Sequence, residues 1–293
     1  MFFKHDGVTT FLERFFDSDE RLVQNLLFWG EESVGKMTTA EEFSKTLLCD
    51  NRNGWKRCGK CNSCEMIKKG YHPDLMIIEP EEESVKIEQI RQGLKFLFYH
   101  PQISSLKILI IDQADKMTED CQNALLKTLE EPQENNLIIL ITSAPKRLLT
   151  TIRSRILPLR FTRVTNKEII DLLQKEYSLS QNEAEEIAER ADGKIGKVIK
   201  LLDKDYKKEL DQKRKDLKEI LNQNFAKQSA YFQKLVEDNG KLRSTLEEWL
   251  RVLKSDKDSR ELKLIDSILK SIYLITDTNI NRQLLMENIF LQL

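Results

Sequence analysis

Residues 30–37 have the spacing of a phosphate-binding loop. The positions that the motif requires are held by Gly30, Gly35 and Lys36. In such loops the glycines allow backbone N–H groups to surround phosphate oxygens, and the lysine meets the outer phosphates. The motif needs a strand before it and a helix after it, and here the apolar run Leu26–Trp29 precedes a helical pattern. The sequence therefore predicts an α/β domain with a nucleotide-type loop.

The loop keeps its frame but lacks its magnesium ligand. The last position of the motif normally carries a hydroxyl group for Mg²⁺, whereas this chain has Met37. A thioether is a soft ligand and does not replace a hard oxygen on magnesium. Glu31 and Glu32 also place two carboxylates in the loop, which repel a polyanion unless they point away. We therefore do not expect this chain to bind ATP effectively.

A second part of a nucleotide site is also altered. The apolar run Leu106–Ile111 is followed by Asp112, where an acid can hold the magnesium shell, and then by Gln113. The position of Gln113 normally holds a glutamate that orients or deprotonates the attacking water. An amide can hold water but cannot take its proton, so hydrolysis is expected to be weak. A buried parallel strand that ends in an acidic turn explains the periodicity of this run equally well.

The pattern of apolar residues predicts three domains. Residues 1–162 alternate strand-like runs with helical patterns, as in an α/β domain with a largely parallel sheet. Residues 163–204 contain two capping boxes that start helices, which predicts a small helical domain. Residues 205–293 are helical again and amphipathic in their later segments. The predicted strands are Leu26–Trp29, Leu75–Glu79, Leu106–Ile111, Leu137–Thr142 and Ile156–Phe161.

Composition narrows the class of protein. The 293 residues include 47 basic and 48 acidic side chains, and the net charge of −1 excludes a general polycation. The apolar runs are too short to span a membrane, and the first residues do not resemble a secretory signal. A cytoplasmic protein that acts through protein partners is the expectation.

Four of the five cysteines lie close together in the sequence. Cys49, Cys58, Cys61 and Cys64 have the spacing C-x8-C-x2-C-x2-C. Four thiolates complete a tetrahedral zinc shell without leaving a position for water, so the predicted site, in a module of residues 49–64, is structural. Four ordinary buried cysteines are the alternative. Cys121, alone on a predicted helix, is interpreted as a core residue.

The neighbourhood of the cysteines is basic, which raises the alternative that this module binds DNA. Trp55 would then stack on a base. The same residues also fit a small module with a solvated surface, and the rest of the chain has no basic surplus to extend a DNA footprint. We favour the solvated surface. The basic residues are Arg52, Lys56, Arg57, Lys60, Lys68 and Lys69.

Three stretches carry a more specific resemblance. Residues 111–118 read Ile-Asp-Gln-Ala-Asp-Lys-Met-Thr, residues 122–132 read Gln-Asn-Ala-Leu-Leu-Lys-Thr-Leu-Glu-Glu-Pro, and residues 148–155 read Leu-Leu-Thr-Thr-Ile-Arg-Ser-Arg. Together with the cysteine insert they resemble the AAA+ subunits of the bacterial DNA polymerase III clamp loader. The altered nucleotide motifs resemble the delta prime branch of this family rather than its gamma/tau motors. Residues 279–281 and 284–288 also resemble the C-terminus of that branch.

The resemblance implies a RecA-like AAA+ domain with the zinc module, a small helical lid and an all-α collar that joins a hetero-pentameric ring. The implied partners are gamma/tau and delta subunits and, through the complex, the sliding clamp and primer-template DNA. The Ser-Arg-Cys motif of the family is represented by Ser154, Arg155 and Ile156. Arg155 is thus the implied arginine finger, which would reach ATP held by a neighbouring motor. A solvated arginine is the alternative for this residue.

The resemblance also implies that the chain has no ATPase activity of its own. Motor subunits carry a sensor arginine in the lid, where this chain has Gly196. The resulting hypothesis is a stator, a subunit that holds its neighbours in place and supplies Arg155 to one of them. The enzyme alternative is a divergent gamma/tau-type motor that uses Lys36, Asp112 and Thr38.

Overall fold

The computed structural model describes residues 5–17, 25–203, 239–255 and 262–277, together with short stretches and single residues between 209 and 289. The chain divides into two compact units, Met1–Ile199 and Lys200–Leu293. Most of the C-terminal stretch 279–293 and part of the charged stretch 207–218 lie outside the described residues. Each unit is described below by itself.

The first unit is built on a five-stranded sheet whose strands all run parallel, in the spatial order β2-β3-β4-β1-β5. The sequence prediction of a parallel α/β sheet is confirmed, and each predicted strand end lies within one residue of its place in the structure. Every residue of β3 and β4 is buried, as expected for central strands covered on both faces. The strands are β1 Asn25–Trp29, β2 Leu75–Ile78, β3 Lys107–Ile111, β4 Asn136–Thr142 and β5 Leu157–Arg160.

Helices connect these strands and continue after the last of them. The helices of the first unit are α1 Asp6–Asp17, α2 Lys36–Leu47, α3 Asn62–Lys68, α4 Ile87–Phe98, α5 Glu119–Glu130, α6 Thr150–Arg153, α7 Asn166–Tyr177, α8 Gln181–Ala191 and α9 Ile195–Leu202, the last of which crosses the boundary between the units. The second unit contains α10 Asn239–Ser255 and α11 Leu262–Asp277.

The predicted helix starts are present as hydrogen-bonded caps. The Thr118 side chain accepts from the N–H of Cys121 at the start of α5. Thr165 with Glu168 and Ser180 with Glu183 form the two capping boxes that begin α7 and α8. These bonds satisfy N–H groups that have no partner within the helix. The local sequence therefore fixes where these three helices begin.

Two hydrophobic cores cover the two faces of the sheet. The first packs α1 and α2 against residues such as Phe28 and Ile139, and the second packs α4 and α5 against residues such as Leu109 and Leu140. The second unit has its own core around Trp249. Among the described residues no helix is long and apolar enough to cross a membrane. The interpretation of residues 163–204 as a lid and of 205–293 as a collar stays a prediction.

Gly93 allows α4 to lie directly on the sheet. A β-carbon built at this position would lie 3.0 Å from Cδ1 of Ile78 and 3.1 Å from Cδ2 of Leu109. Gly93→Val would overpack this contact, so we expect a loss of about 1–3 kcal/mol in the free energy of unfolding. Urea denaturation would measure it. Gly7→Val is the matched control, because a β-carbon at Gly7 meets no atom within 4 Å; an equal loss in both variants would contradict the packing argument.

Candidate functional site

The predicted nucleotide-site residues come together at the carboxyl edge of the sheet. Lys36 begins α2 directly after the loop and is only 7% exposed. Its Nζ donates to the backbone carbonyls of Gly30 and Glu31, at 2.7 and 2.6 Å. Burial lowers the pKa of Lys36, and the nearby charge of Asp112 opposes that effect. Burial likewise raises the pKa of Asp112, with Lys36 lowering it. The carboxyl edge of the sheet thus carries both the cation of the loop and the acid that follows β3.

The two substituted positions do not restore the missing chemistry. Met37 is partly buried and packs against the first core, where its thioether contributes to packing. Gln113 is exposed and has a left-handed backbone, with φ of 47°. Its amide offers no base at neutral pH. These two positions therefore lack the hydroxyl and the carboxylate that the nucleotide motifs normally place there.

The carboxylate of Glu31 lies in a cluster of charges. It accepts from Nε and Nη2 of Arg163, at 3.0 and 2.7 Å. Arg163 Nη1 also donates to Asp192 at 2.8 Å, and Lys194 Nζ lies 3.4 Å from Glu31. The hydrogen bond from Arg163 lowers the pKa of Glu31 and raises that of Arg163. We call these four residues the loop–helix latch, because they join the loop to the segments on both sides of α7 and α8.

A backbone contact brings the start of α9 onto the loop. The N–H of Gly196 donates to the carbonyl oxygen of Ser33 at 2.7 Å. A β-carbon at Gly196 would lie 3.0 Å from that same oxygen and 3.2 Å from Cα of Ser33. The position that the family resemblance assigns to a sensor arginine is thus occupied here by a close contact between two backbones. On the other side of the loop, Nε2 of His5 lies 2.8 Å from the carbonyl oxygen of Val34.

Arg155 lies at the opposite end of the sheet from Lys36. It follows α6 and precedes β5, whose first residue, Leu157, pairs with Leu26 near the start of β1. Lys36 instead follows the other end of β1, which is five residues long. At about 3.3 Å per residue, the length of β1 places roughly 16 Å of strand between the two ends. The sheet therefore separates Arg155 from the loop of its own chain.

Several contacts hold the segment that carries Arg155. Its guanidinium forms an ion pair with Glu130 at 2.8 Å. The amide of Asn25 donates to the backbone carbonyl of Arg155 at 3.3 Å. Gln122 accepts from the N–H of Leu149, just before α6, at 2.7 Å. Ile156 is buried in the second core, so the departure from the Ser-Arg-Cys pattern gives a packed side chain.

The four clustered cysteines form one constellation. Their sulfur atoms all lie within 4.8 Å of one another, with Cys58 and Cys64 at 4.0 Å and Cys61 and Cys49 at 3.9 Å. Tetrahedral zinc with bonds of about 2.3 Å requires sulfur atoms about 3.8 Å apart. The N–H groups of Cys58 and Cys61 also point at the sulfurs of Cys49 and Cys58. The donor set thus fits a metal ion that prefers four thiolates.

The thiols do not have equal surroundings. Backbone hydrogen bonds from Lys60 and Cys61 lower the pKa of Cys58 to about 6, whereas burial raises the pKa of Cys64 to about 12 and also raises that of Cys49. A cluster of this kind without a cation is costly to ionise fully, because the thiolates repel one another. A bound dication would remove that cost and release protons.

Two of the basic residues near the cysteines form contacts within the chain. Arg57 pairs with Glu42 at 3.2 Å, and Arg52 donates to the carbonyl of Phe16 at 3.2 Å. The ring of Trp55 is half-buried and lies edge-on to Phe16, with centroids 5.2 Å apart. These contacts favour the structural interpretation of the module over the DNA-binding one. Cys121 is buried, as expected for a core residue.

The sequence interpretation missed Asn25, Glu130, Arg163 and the contact made by His5. Each acts through a partner distant in sequence: 132 positions separate Arg163 from Glu31, and 130 separate Asn25 from Arg155. A weak signal was present for Glu130, since it lies in one of the quoted stretches. No local pattern marks the other three.

Comparisons with known proteins agree with this architecture. The family model described as DNA polymerase III, delta subunit, matches residues 5–165. The delta prime subunit of DNA polymerase III from Bacillus subtilis is 39% identical over 155 residues, which cover 53% of this chain and 46% of the relative. The tau subunit from the same organism is 33% identical over 184 residues, covering 60% of this chain and 32% of the relative. The chain thus matches less than half the length of both relatives.

A solved structure supports the fold. A DNA polymerase III gamma subunit-related protein from Thermotoga maritima superposes with a TM-score of 0.53 at 19% identity, covering 97% of this chain and 98% of that one. At this identity the likeness concerns the fold alone.

Zinc content tests the cysteine cluster. We expect the purified chain to carry one equivalent of zinc by elemental analysis, and Cys64→Ser to lose it, because three thiolates bind less tightly than four. The melting temperature should fall with the metal, since a structural site contributes to folding. Cys121→Ser is the control and should retain the zinc, as Cys121 lies outside the cluster. Equal metal content in all three proteins would contradict the assignment.

Proposed function

The chain belongs to the DNA polymerase III delta-subunit family, and from that premise we propose that it is a delta-prime-type stator of a clamp loader. In this role it hydrolyses no ATP and lends Arg155 to the ATPase site of a neighbouring subunit. Its family membership confirms the resemblance that the sequence motifs indicate. In this role the amino end of the sheet supplies Arg155 to the neighbour, and the loop at the carboxyl end has a structural role.

The observation that carries the proposal is the position of Arg155. It lies at the amino end of β5, whereas Lys36 and Asp112 lie beyond the carboxyl ends of β1 and β3. An arginine finger has to contact the phosphates directly, so Arg155 is misplaced for the loop of its own chain. It remains at the surface, with 35% of its side chain exposed. Both facts support an action on a nucleotide held by another subunit.

The state of the loop supports the absence of hydrolysis. The missing hydroxyl at Met37 and the missing carboxylate at Gln113 remove a metal ligand and a group that orients water. The latch and the Gly196 contact tie the segment around Arg163 and the start of α9 to the loop. The loop therefore serves as a structural element between β1 and α2 in the proposed stator.

The remaining parts of the proposal are those that the sequence resemblance implies. The ring is a hetero-pentamer with gamma/tau and delta subunits, residues 205–293 form its collar, and residues 163–204 form the lid. Acting in the cytoplasm, the assembly loads the sliding clamp onto primer-template DNA. The cysteine module holds a structural zinc ion.

A divergent motor is the second candidate. The similarity to a tau subunit favours it, as does the proximity of Lys36 and Asp112. Thr38, one position after Met37, would then have to supply the magnesium ligand.

Removal of Arg155 tests the stator. In a loader reconstituted from this chain and its ATPase partners, Arg155→Ala should leave assembly intact and lower DNA-stimulated ATP turnover. The contribution of such a finger is roughly 10³–10⁵ in kcat, so the interface that it faces should become inactive. Arg153→Ala is the matched control, because Arg153 is also exposed and lies two residues away. Unchanged turnover in Arg155→Ala would overturn the finger assignment.

Nucleotide binding separates the stator from the motor. We expect the isolated chain to show no micromolar affinity for ATP with Mg²⁺ in isothermal titration calorimetry, because Met37 offers magnesium no hard oxygen ligand. Micromolar binding, together with turnover that Lys36→Ala abolishes, would identify the chain as a motor.

A further inference from the structure

We propose that Glu130 is a positioning residue for Arg155, holding its guanidinium in the orientation from which it meets the neighbouring phosphate. This inference rests on the proposed function, because it gives Glu130 an effect only through the finger. Glu130 is the last residue of α5, and its Oε1 lies 2.8 Å from Nη2 of Arg155.

Among the residues that the structure describes, some N–H groups of the Arg155 guanidinium donate hydrogen bonds within the chain, and the others do not. Nη1 of Arg155 donates to the carbonyl oxygen of Thr151 at 2.9 Å and to Oγ of Ser154 at 3.1 Å. With the contact to Glu130, these bonds use three of the five N–H protons that an arginine carries. Within the described part of the chain, two protons thus stay available for an anion. These contacts orient the guanidinium of Arg155 and leave N–H groups for a phosphate.

The backbone of Arg155 is linked through Asn25 to the C-terminal end of α5, the same helix end that carries Glu130. Nδ2 of Asn25 donates to the carbonyl of Leu129 at 3.0 Å and to that of Arg155 at 3.3 Å. Leu129 directly precedes Glu130. Asn25 is buried at the start of β1, so it fixes the distance between the end of α5 and the turn that carries the finger. Asn25 therefore constrains the backbone of Arg155, and Glu130 constrains its guanidinium.

Because the Glu130–Arg155 ion pair is exposed, its effect on catalysis can be distinguished from an effect on the stability of the chain. Glu130 is 47% and Arg155 35% exposed, and solvent-exposed ion pairs contribute little to folding. An unrestrained arginine instead populates many rotamers, few of which direct the fork at one point. Loss of Glu130 should thus affect the geometry of catalysis more than the stability of the chain, because small displacements of a catalytic group lower kcat strongly.

The test uses the full reconstituted loader with the arginine fingers of its other interfaces removed, so that turnover reports on the interface that Arg155 faces. Glu130→Ala should lower kcat about tenfold, in line with the sensitivity of catalysis to orientation. The KM for ATP and the melting temperature should not change. Glu130→Gln should recover most of the activity, because its amide oxygen still accepts from Nη2. Glu131→Ala is the matched control, since it removes an exposed carboxylate at the next position.

A double variant distinguishes the two proposals. If Glu130 acts through the finger, Glu130→Ala has no further effect in an Arg155→Ala background. An additional loss there would overturn the positioning role, as would full activity of Glu130→Ala in a loader that Arg155→Ala inactivates. Full activity of Arg155→Ala would instead overturn the proposed function itself. A drop in Glu130→Ala matched by Glu131→Ala or by a lower melting temperature would reduce the effect to a general one and also overturn the inference.

Discussion

The parallel pairing of β1 between β4 and β5 is the constraint on which the rest of the structure depends. Because the strands run in the same direction, whatever follows β1 and whatever precedes β5 lie at opposite ends of the sheet. The loop with Lys36 follows β1, and Arg155 precedes β5. One pairing thus gives a single domain two separate chemical surfaces, one at each end. In a ring of similar subunits, this geometry allows one subunit to act on the nucleotide of the next.

The proposed stator lacks groups for hydrolysis at one end of the sheet and keeps an arginine finger at the other. At the carboxyl edge, Glu31 pairs with Arg163 and the backbone of Gly196 lies against that of Ser33. At the amino edge, Arg155 keeps its charge, its exposure and a set of oriented neighbours. The proposed function uses only the amino edge.

The elements themselves were largely readable from the sequence, for physical reasons that are local. Parallel central strands are continuous apolar runs, and β4 has that pattern because both of its faces are covered. Helix starts are fixed by side-chain caps within three residues, as at Thr165 and Ser180. The cysteine spacing likewise predicted a cluster, and the fold brings the four sulfurs together.

The sequence by itself determined the type of sheet, several helix starts and the altered loop positions, because each depends on residues close together in the chain. Only the tertiary structure decided where Glu31 directs its charge, how Gly196 meets Ser33 and which residues hold Arg155. These contacts join segments up to 163 positions apart, from Ser33 to Gly196. No local periodicity records such distances, since they arise from the order in which the strands pair and from the helices that pack over the loop.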